Sequence, residues 1–379
     1  MRIAIFGAGQ AGKYLYEEIN ANAKEIEVVA FIDSYVKDTY KKCAVYKPEV
    51  FFEMHEDIDA IIIAAGAQKT LRTMINLCRK NGVNEIYMLH DIAGKCHLKL
   101  FEDGEMIPDR IRKLYFSDEK PSLHYFEVPI TDNCNLNCKG CLFASNTTKT
   151  EQHVPYKVIE TDAKRMAELF HDVPWIRILG GEPLMHPDID KILECYRSIF
   201  PYSEIDLCTN GLLIPKIGDG HRLWDCIKKN HISIHVSGYK PTYSMLDKID
   251  TILKEHNLSY VILKRDEFLK YYTLEPKNDM AENFEKCIAS GCYEVYRGQL
   301  SSCSGAIAFE KFNDIFKTNY QVRESEGYID IHRSTLSAWD MKTKLETPSF
   351  ICKYCNVSGM VSFEWDYTRE LTLDDYLVK

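Results

Sequence analysis

The sequence predicts an α/β protein of three domains, and three features of its pattern carry that prediction. Short apolar runs alternate with amphipathic helical stretches through about the first 95 residues, and the alternation resumes near Phe126. A charged connector with Pro108 and Pro121 separates these regions, and clustered cysteines with a hairpin pattern follow them. Strand–helix alternation is typical of parallel sheets covered by helices. We expect a small parallel sheet at residues 1–100, a partial (β/α)6 barrel at 120–275 and an α+β domain with a β-hairpin at 280–379.

Composition and charge exclude several classes of function. The chain has 379 residues, of which 45% are hydrophobic and 27% are charged, as in ordinary globular proteins. Its 47 Lys and Arg against 56 Asp and Glu give a net charge of -9, so no nucleic-acid partner is expected. No apolar run approaches the roughly 20 residues that span a bilayer, and no export signal is visible, so we expect a cytoplasmic protein without a membrane partner. In a reducing cytosol, the 14 cysteines favour metal ligands or catalytic thiols over disulfides.

The N-terminal region carries a glycine motif between its first strand and first helix. Strands are predicted at Arg2 to Phe6, Glu27 to Asp33, Asp59 to Ala65 and Glu85 to Leu89, with helices from Gln10 and around Gln68 to Lys80. Gly7, Gly9 and Gly12 follow the first strand, and Asp33 ends the second. Such glycines allow a tight turn and the close approach of a pyrophosphate, and the carboxylate binds a ribose hydroxyl. The pattern predicts a Rossmann-like nucleotide-binding domain.

About four strands are predicted in this region, where a complete dinucleotide-binding fold has about six. The region resembles the small nucleotide-binding domains that precede sugar acetyltransferase modules. That resemblance implies a bound nucleotide or nucleotide-sugar. The alternative is a domain whose glycines only make a tight turn.

The barrel region begins beyond the connector. Its strands are predicted at Phe126 to Ile130, Trp175 to Leu179, Glu204 to Thr209, Ile232 to Val236 and Tyr260 to Leu263, with helices at Ala163 to Phe170, Ile189 to Phe200, Leu223 to Lys229 and Tyr243 to Lys254. Parallel strands connected through helices form an open barrel whose active site lies at the carboxyl ends of the strands. We therefore expect functional residues directly after these strands.

Three cysteines follow the first barrel strand in a C-x3-C-x2-C run. They are Cys134, Cys138 and Cys141. Three thiolates hold one cubane cluster and leave one of its irons open to an outside ligand. The alternative is a structural zinc site with a distant fourth ligand, although zinc sites favour two paired C-x2-C units. The run therefore predicts an iron–sulfur cluster.

Further motifs stand on the next strands. They are Gly180-Gly181-Glu182-Pro183 after the second strand, Thr209-Asn210-Gly211 after the third, and Ser233 and His235 on the fourth. Together with the cysteine run they resemble the radical SAM superfamily over about Phe126 to Leu263. The resemblance implies that Gly180 to Pro183 receive the methionine amino group of S-adenosylmethionine. It also implies that Thr209, Asn210 and Ser233 line the adenosine side of the pocket.

One position departs from the family pattern. The residue before the third cysteine, often aromatic in the family, is Gly140, and we expect Lys139 or Phe143 to cover the adenine instead. The resemblance implies a [4Fe-4S] cluster that passes an electron to S-adenosylmethionine, and a 5'-deoxyadenosyl radical that abstracts hydrogen from a substrate. The expected electron donor is a flavodoxin- or ferredoxin-type protein. The chain's own tasks are to position the reactants and to exclude water.

A second set of cysteines accompanies the predicted hairpin, which turns at Arg297-Gly298. Its members are Cys287, Cys303, Cys352 and Cys355. The arrangement resembles the twitch domain, the short form of the SPASM module, and implies one auxiliary [4Fe-4S] cluster. Cys292 competes with Cys287 as a ligand and is otherwise a hairpin-base thiol or a hydrogen-atom donor, and structural zinc is the alternative for the whole set. The other cysteines are expected to be buried packing residues: Cys43, Cys78, Cys96, Cys195, Cys208 and Cys226.

The expected function is oxidation of an alcohol. A barrel cluster with one auxiliary cluster resembles radical SAM dehydrogenases that convert an aminocyclitol alcohol to a ketone. We expect a carbohydrate, cyclitol or nucleotide-sugar substrate, with the auxiliary cluster as electron acceptor. The reaction needs a base or a cationic hydrogen-bond partner, and the candidates are His235, Lys264 and Arg265. Their alternatives are a satisfied histidine and a solvated basic pair.

Three other functions stay open at this point. Radical epimerisation of a sugar needs a thiol hydrogen donor such as Cys292 or Cys208. Maturation of a ribosomal peptide uses the same modules but usually adds a winged-helix recognition domain, which the first 95 or so residues do not resemble. A non-catalytic iron–sulfur or zinc-binding protein would leave the S-adenosylmethionine motifs without a purpose.

Overall fold

The computed structural model describes residues 1–35, 39–54, 57–89, 111–145, 147, 153–323 and 325–378. The chain divides into two compact units, Met1–Phe116 and Ser117–Lys379. Two residues named in the predictions lie outside the described residues: Cys96, expected to be a packing residue, and Pro108, expected in the connector. Among those described, no helix combines the length and the apolar composition needed to cross a bilayer.

The N-terminal unit is a parallel sheet covered by helices. Its elements are β1 Arg2–Phe6, α1 Gln10–Asn22, β2 Glu27–Ile32, β3 Ala44–Tyr46, α2 Pro48–Met54, β4 Ala60–Ile63, α3 Gln68–Lys80, β5 Ile86–Leu89 and β6 Ile111–Lys113. The strand order is β3-β2-β1-β4-β5-β6, and only the β5–β6 pair is antiparallel. This confirms the predicted Rossmann-like sheet. The two strands that the sequence missed, β3 and β6, have three half-buried residues each, too few to show a strand pattern.

The central strands of this sheet are unbroken apolar runs because they are buried along almost their whole length. Every residue of β4 is buried, and in β1 only Arg2 is exposed. Strands in a parallel sheet lie between two layers of helices, so neither face has polar residues.

We expect Gly12→Ala to destabilise the N-terminal unit. A Cβ atom at position 12 would lie 1.8 Å from the carbonyl oxygen of Gly7, so α1 would have to move away from β1. Overpacking of this kind costs about 1–3 kcal/mol or more, although alanine is the better helix former. The measurement is the midpoint of thermal unfolding by circular dichroism.

Gly9→Ala is the matched control for this prediction, because no atom lies within 4 Å of a Cβ built there. Equal loss of stability in the two variants would contradict the close packing of α1 on the glycine turn.

The second unit begins with a β/α barrel sheet. Its elements are β7 Phe126–Pro129, α4 Tyr156–Leu169, β8 Trp175–Leu179, α5 Ile189–Ile199, β9 Glu204–Thr209, α6 Arg222–Lys229, β10 Ile232–Gly238, α7 Leu246–Glu255 and β11 Tyr260–Lys264. These five strands are parallel and lie in chain order from β7 to β11. The predicted α/β class and parallel barrel sheet are confirmed.

The C-terminal part continues this sheet from its other edge. Its elements are β12 Glu267–Lys270, α8 Met280–Lys286, β13 Glu294–Tyr296, β14 Gln299–Ser301, α9 Ser304–Phe316, β15 Tyr328–Asp330, α10 Ala338–Leu345 and β16 Val361–Glu364. β13 pairs in parallel with β7 and begins the antiparallel run β13-β14-β15, whereas β12 pairs antiparallel with β16. The sixth parallel strand, β13, therefore lies beside β7. A simple (β/α)6 order would have placed it beside β11. For the same reason, residues 280–379 share one compact unit with the barrel.

The predicted hairpin turn is present between β13 and β14. Arg297 and Gly298 have φ angles of 50° and 79°, which is the left-handed pair that a two-residue hairpin loop requires. Gly298 N–H also donates to the buried Asp162 carboxylate at 2.8 Å. The turn is therefore joined to α4.

Candidate active site

The first cysteine run lies in the loop that follows β7, beside the end of β8. The carbonyl oxygen of Thr131 accepts the N–H of Gly181 at 2.7 Å, and that of Asn133 accepts the N–H of Glu182 at 2.8 Å. Because parallel strands end at the same edge of the sheet, these bonds bring the cysteine loop and the glycine motif together.

Gly180 and Gly181 make this close approach possible. A Cβ on Gly180 would lie 2.4 Å from the Thr131 carbonyl oxygen, and one on Gly181 would lie 2.3 Å from that of Asn133. Gly180 also has a φ angle of 148°, which side chains rarely tolerate. The glycine pair is therefore needed to hold the cysteine loop, apart from any contact with S-adenosylmethionine.

The three thiols of the run pack into one small cluster with Leu136 and Trp365. The Cys138 sulfur accepts a hydrogen bond from the indole Nε1–H of Trp365 at 3.1 Å. The Cys134 sulfur accepts from the Leu136 N–H at 3.4 Å and from the Asn210 amide at 3.9 Å. N–H donors directed at sulfur favour the thiolate form, which is the form that binds iron.

Burial favours the protonated form of the Cys134 and Cys138 thiols in the absence of a metal. Burial is the main cause that raises the pKa of Cys138 to about 12, and it also raises the pKa of Cys134. A bound iron centre supplies the positive charge that releases such protons, so this set of donors fits an iron–sulfur cluster. None of the described cysteines forms a disulfide. Nowhere in the described ranges do three or more His, Cys, Asp or Glu side chains come together as a group that could hold a single metal ion.

Glu182 joins the end of β8 to the end of β9. Its fully buried carboxylate accepts the Thr209 hydroxyl at 2.7 Å, the Asn210 N–H at 2.8 Å and the Leu184 N–H at 3.1 Å. Burial raises its pKa to about 7. Pro183, also buried, begins the short 3-10 helix Pro183–Met185. The structure therefore brings together the predicted residues on β8 and β9, beside Cys134.

Ser233 lies away from this group. It is the second residue of β10, and its hydroxyl donates to Glu204, the first residue of β9, at 2.5 Å. About 16 Å of strand separates it from the carboxyl end of β10, at about 3.3 Å per residue. Ser233 therefore lies toward the opposite end of its strand from Glu182 and Asn210, and its contact with S-adenosylmethionine stays a prediction. Ser237 is the serine near the carboxyl end of β10, and its hydroxyl lies 3.7 Å from the Cys208 sulfur.

Charged side chains line the face of the barrel sheet that points away from the helices. Paired positions on β7, β8 and β9 hold Glu127, Arg177 and Asp206, which we call the charged row. Their neighbours along each strand pack against the helices. Arg177 donates to Asp206 at 2.9 Å, and the Tyr125 hydroxyl donates to Glu127 at 2.6 Å. Sequence reasoning missed this row, although a charged residue between apolar ones on three successive strands was the available signal.

His235 lies on the same face of the sheet as this row but two residues nearer the carboxyl ends of the strands, where it pairs with Cys208. Burial, with the positive charges of Arg177 and Arg265, lowers its pKa well below the usual range. Its Nδ1 lies 3.2 Å from Arg177 Nη2, and since a guanidinium only donates, Nδ1 accepts and Nε2 carries the proton. Nε2 is buried and has no hydrogen-bond partner among the described residues. His235 is therefore a hydrogen-bond donor in this structure and not a base.

Lys264 and Arg265, the other predicted catalytic residues, have different surroundings. Both are exposed. The Lys264 ammonium lies over the Tyr243 ring, 5.4 Å from its centre, whereas the Arg265 charge acts on His235. Of the two, it is the Arg265 charge that contributes to lowering the pKa of the buried His235.

The second set of cysteines converges at helix ends. Cys287 directly follows α8, Cys303 directly precedes α9, and Cys352 and Cys355 lie in and after the 3-10 helix Phe350–Tyr354. Asn283 of α8 donates to the carbonyl oxygens of Cys352 at 3.0 Å and Cys355 at 2.5 Å. Burial and then the other three thiols raise the pKa of Cys355. The four thiols are therefore close enough for their charges to interact.

Cys292 lies two residues before β13, whose first residue, Glu294, pairs with Glu127 of β7. Burial, Glu127 and Cys287 raise the pKa of its thiol, and Arg177 opposes them. The thiol therefore stays protonated, as a hydrogen-atom donor must be.

The glycine motif of the N-terminal unit packs as expected, but Asp33 forms hydrogen bonds with main-chain N–H groups of the same unit. Asp33 Oδ2 accepts the N–H of Ala8 at 2.8 Å, and Oδ1 accepts the N–H of Tyr35 at 2.8 Å. The carboxylate is therefore bonded to the loop in which the motif would hold a pyrophosphate. A nucleotide ligand in this unit stays a prediction.

Residues 128–263 match the radical SAM superfamily. The GTP 3',8-cyclase of Alkaliphilus metalliredigens is 32% identical over 151 residues, which cover 39% of this chain and 44% of that protein. The GTP 3',8-cyclase of Petrotoga mobilis is 35% identical over 97 residues, covering 25% and 29%. The chain thus spans less than half the length of these curated relatives.

Similar solved structures include BtrN in complex with AdoMet and 2-DOIA, at 14% identity, with 68% of this chain and 100% of that chain covered and a TM-score of 0.37. Native anSMEcpe with bound AdoMet is 21% identical over 38% of this chain and 43% of that chain, with a TM-score of 0.31.

Proposed function

Since residues 128–263 form a radical SAM domain, we propose that this enzyme abstracts hydrogen from a hydroxyl-bearing carbon of a sugar-like substrate and oxidises that alcohol to a ketone. The observation that carries the proposal is the presence of two separate cysteine groups in a unit with a charged interior. When bound, S-adenosylmethionine and two [4Fe-4S] clusters supply the 5'-deoxyadenosyl radical and an acceptor for the second electron.

The chain's own residues then divide the remaining tasks. Cys134, Cys138 and Cys141 hold one cluster, and the second set of cysteines holds the other. The oxidation removes one hydrogen atom from carbon, one proton from the hydroxyl and one further electron. The small-molecule substrate occupies the barrel interior, and a flavodoxin- or ferredoxin-type protein supplies the reducing electron.

The charged row supplies the polar contacts for such a substrate. His235 Nε2–H is a donor toward the developing ketone oxygen. Asp206 accepts from two donors, Trp175 at 3.0 Å and Arg177, whereas the hydrogen bond found for Glu127 among the described residues is the one from Tyr125. Glu127 is therefore the better proton acceptor of the two, and burial raises its pKa.

A second candidate function is cyclisation of a purine nucleotide. The observation that favours it is the sequence similarity to GTP 3',8-cyclases. The hydrogen would again leave from a sugar carbon, in this case in the ribose of the nucleotide, so both candidates use the same first step and differ in the fate of the substrate radical.

Deuterium transfer tests the proposal. Anaerobic protein is incubated with dithionite, S-adenosylmethionine and a small-molecule extract of deuterium-labelled cells, and the mass of 5'-deoxyadenosine is measured. We expect one deuterium per molecule and a ketone product. Transfer from GTP deuterated at the ribose 3' position would select the cyclase, and deuterated substrate recovered with solvent hydrogen at the same carbon would indicate epimerisation. 5'-Deoxyadenosine without deuterium from either source would contradict hydrogen abstraction.

A further inference from the structure

The chain returns to the first cysteine loop after β16, and we call residues 365–368 the return segment. The Thr368 N–H donates to the Asn137 carbonyl at 3.1 Å, and the Asn137 amide donates back to the Thr368 carbonyl at 2.8 Å. The Lys139 N–H donates to the Asp366 carbonyl at 3.1 Å, and their side chains form an ion pair at 2.6 Å. The ion pair is partly exposed and so contributes little. The bonds to the main chain are what fix the segment.

Trp365 is the member of the return segment that reaches a cysteine sulfur. Trp365 is 7% exposed, and its ring stacks on that of Tyr239 with 6.2 Å between ring centres. The main-chain N–H of Trp365 donates to the Asp266 carbonyl at 2.6 Å. The indole Nε1–H donates to the Cys138 sulfur at 3.1 Å. A buried indole N–H needs an acceptor, and in this position the acceptor is a cysteine of the first run.

The strand before the return segment fills the space beside Gly140. A Cβ on Gly140 would lie 2.8 Å from the tip of the Phe363 ring, and Gly140 has a φ angle of 67°. The aromatic ring beside Gly140 therefore comes from β16, and cover of the adenine by Lys139 or Phe143 stays a prediction. Lys139 is paired with Asp366, and the C-terminal chain forms one wall of the cysteine site.

We propose that Trp365 is a positioning residue that raises the reduction potential of the cluster on Cys134, Cys138 and Cys141. The inference rests on the proposed function, because it requires that cluster. Hydrogen bonds to sulfur and exclusion of solvent are determinants of cluster potential. An N–H donor stabilises the reduced cluster more than the oxidised one, because the reduced cluster carries more negative charge.

The size of the effect follows from the strength of one hydrogen bond. Hydrogen bonds to charged groups are about twice as strong as those between neutral groups. We expect removal of the bond to change the ratio of reduced to oxidised cluster about tenfold. For a one-electron couple, a tenfold change corresponds to about 59 mV.

Trp365→Phe tests the proposal, because it keeps an aromatic ring and removes the N–H. Full-length protein is reconstituted anaerobically and titrated with a redox mediator, and the reduced cluster is followed by EPR. The change in its signal on adding S-adenosylmethionine distinguishes it from the auxiliary cluster. At the wild-type midpoint, we expect about tenfold less reduced cluster relative to oxidised cluster in Trp365→Phe.

Trp339→Phe is the matched control, since Trp339 lies on α10 and is 46% exposed; its midpoint should equal that of wild type. An unchanged midpoint in Trp365→Phe with full iron content would overturn the inference. If Trp365→Phe does not retain iron, Trp365→His, which keeps a ring N–H, is measured instead, and a midpoint far from wild type would then count against the inference. Wild-type protein without a cluster that responds to S-adenosylmethionine would mean that the proposed function fails, not this inference alone.

Discussion

Cys138→Ala should abolish the formation of 5'-deoxyadenosine from S-adenosylmethionine, down to the level seen without enzyme. The three cysteines of the first run are the protein ligands of the proposed cluster, and Cys138 is the most deeply buried of them. Its sulfur also receives the Trp365 hydrogen bond. The measurement is liquid chromatography with mass detection, under strict anaerobiosis with dithionite as reductant.

Cys195→Ala is the control for this result. Cys195 is also buried, but it lies in α5, away from the strand ends, and its thiol interacts with the Tyr156 hydroxyl. Its replacement should leave cleavage of S-adenosylmethionine within about twofold of wild type. Wild-type amounts of 5'-deoxyadenosine from Cys138→Ala would remove the first run from the radical chemistry.

Cys303→Ala should lose about half of the bound iron and all of the oxidised product, while cleavage of S-adenosylmethionine continues. Two cubane clusters imply about eight irons per chain, and loss of one ligand of the second set leaves about four. The radical still forms at the first site, but the second electron no longer has an acceptor. Iron analysis and product analysis on the same preparation measure the two effects.

Cys292→Ala separates the two possible ligand assignments of the second set. If Cys287 is the ligand, Cys292→Ala keeps about eight irons and Cys287→Ala does not. The reverse result would exchange the two cysteines. Zinc in place of iron in the wild-type protein, or four irons unaffected by Cys303→Ala, would contradict the auxiliary cluster.

Most of the fold was predictable because its strands are short apolar runs between helices. The predicted bounds of β8 and β9 agree with the structure at both ends. Prediction failed where a strand has three half-buried residues, as in β3, and where the partner strand is distant in sequence, as for β12 and β16. Local pattern contains no information on which distant strand supplies the hydrogen bonds.

The candidate site divides in the same way. Cys134, the glycine motif, Thr209 and Asn210 follow their strands in sequence, so topology alone brings them to one edge. Ser233 was assigned to that edge from its strand without regard to its position along it, and the structure places it at the other end. The charged row was not predicted because each of its members is a single charged residue within its own strand.

The sequence by itself determined the chemistry that the chain can offer: two groups of cysteines, the strand-end motifs and the alternation that makes a parallel barrel. Only the tertiary structure decided what surrounds those groups. Trp365 and Cys138 are 227 positions apart, and Phe363 lies against Gly140 from a similar distance along the chain. Spacing along a chain determines contacts within a strand, a helix or a loop, whereas the contacts that tune a buried sulfur depend on how distant segments pack.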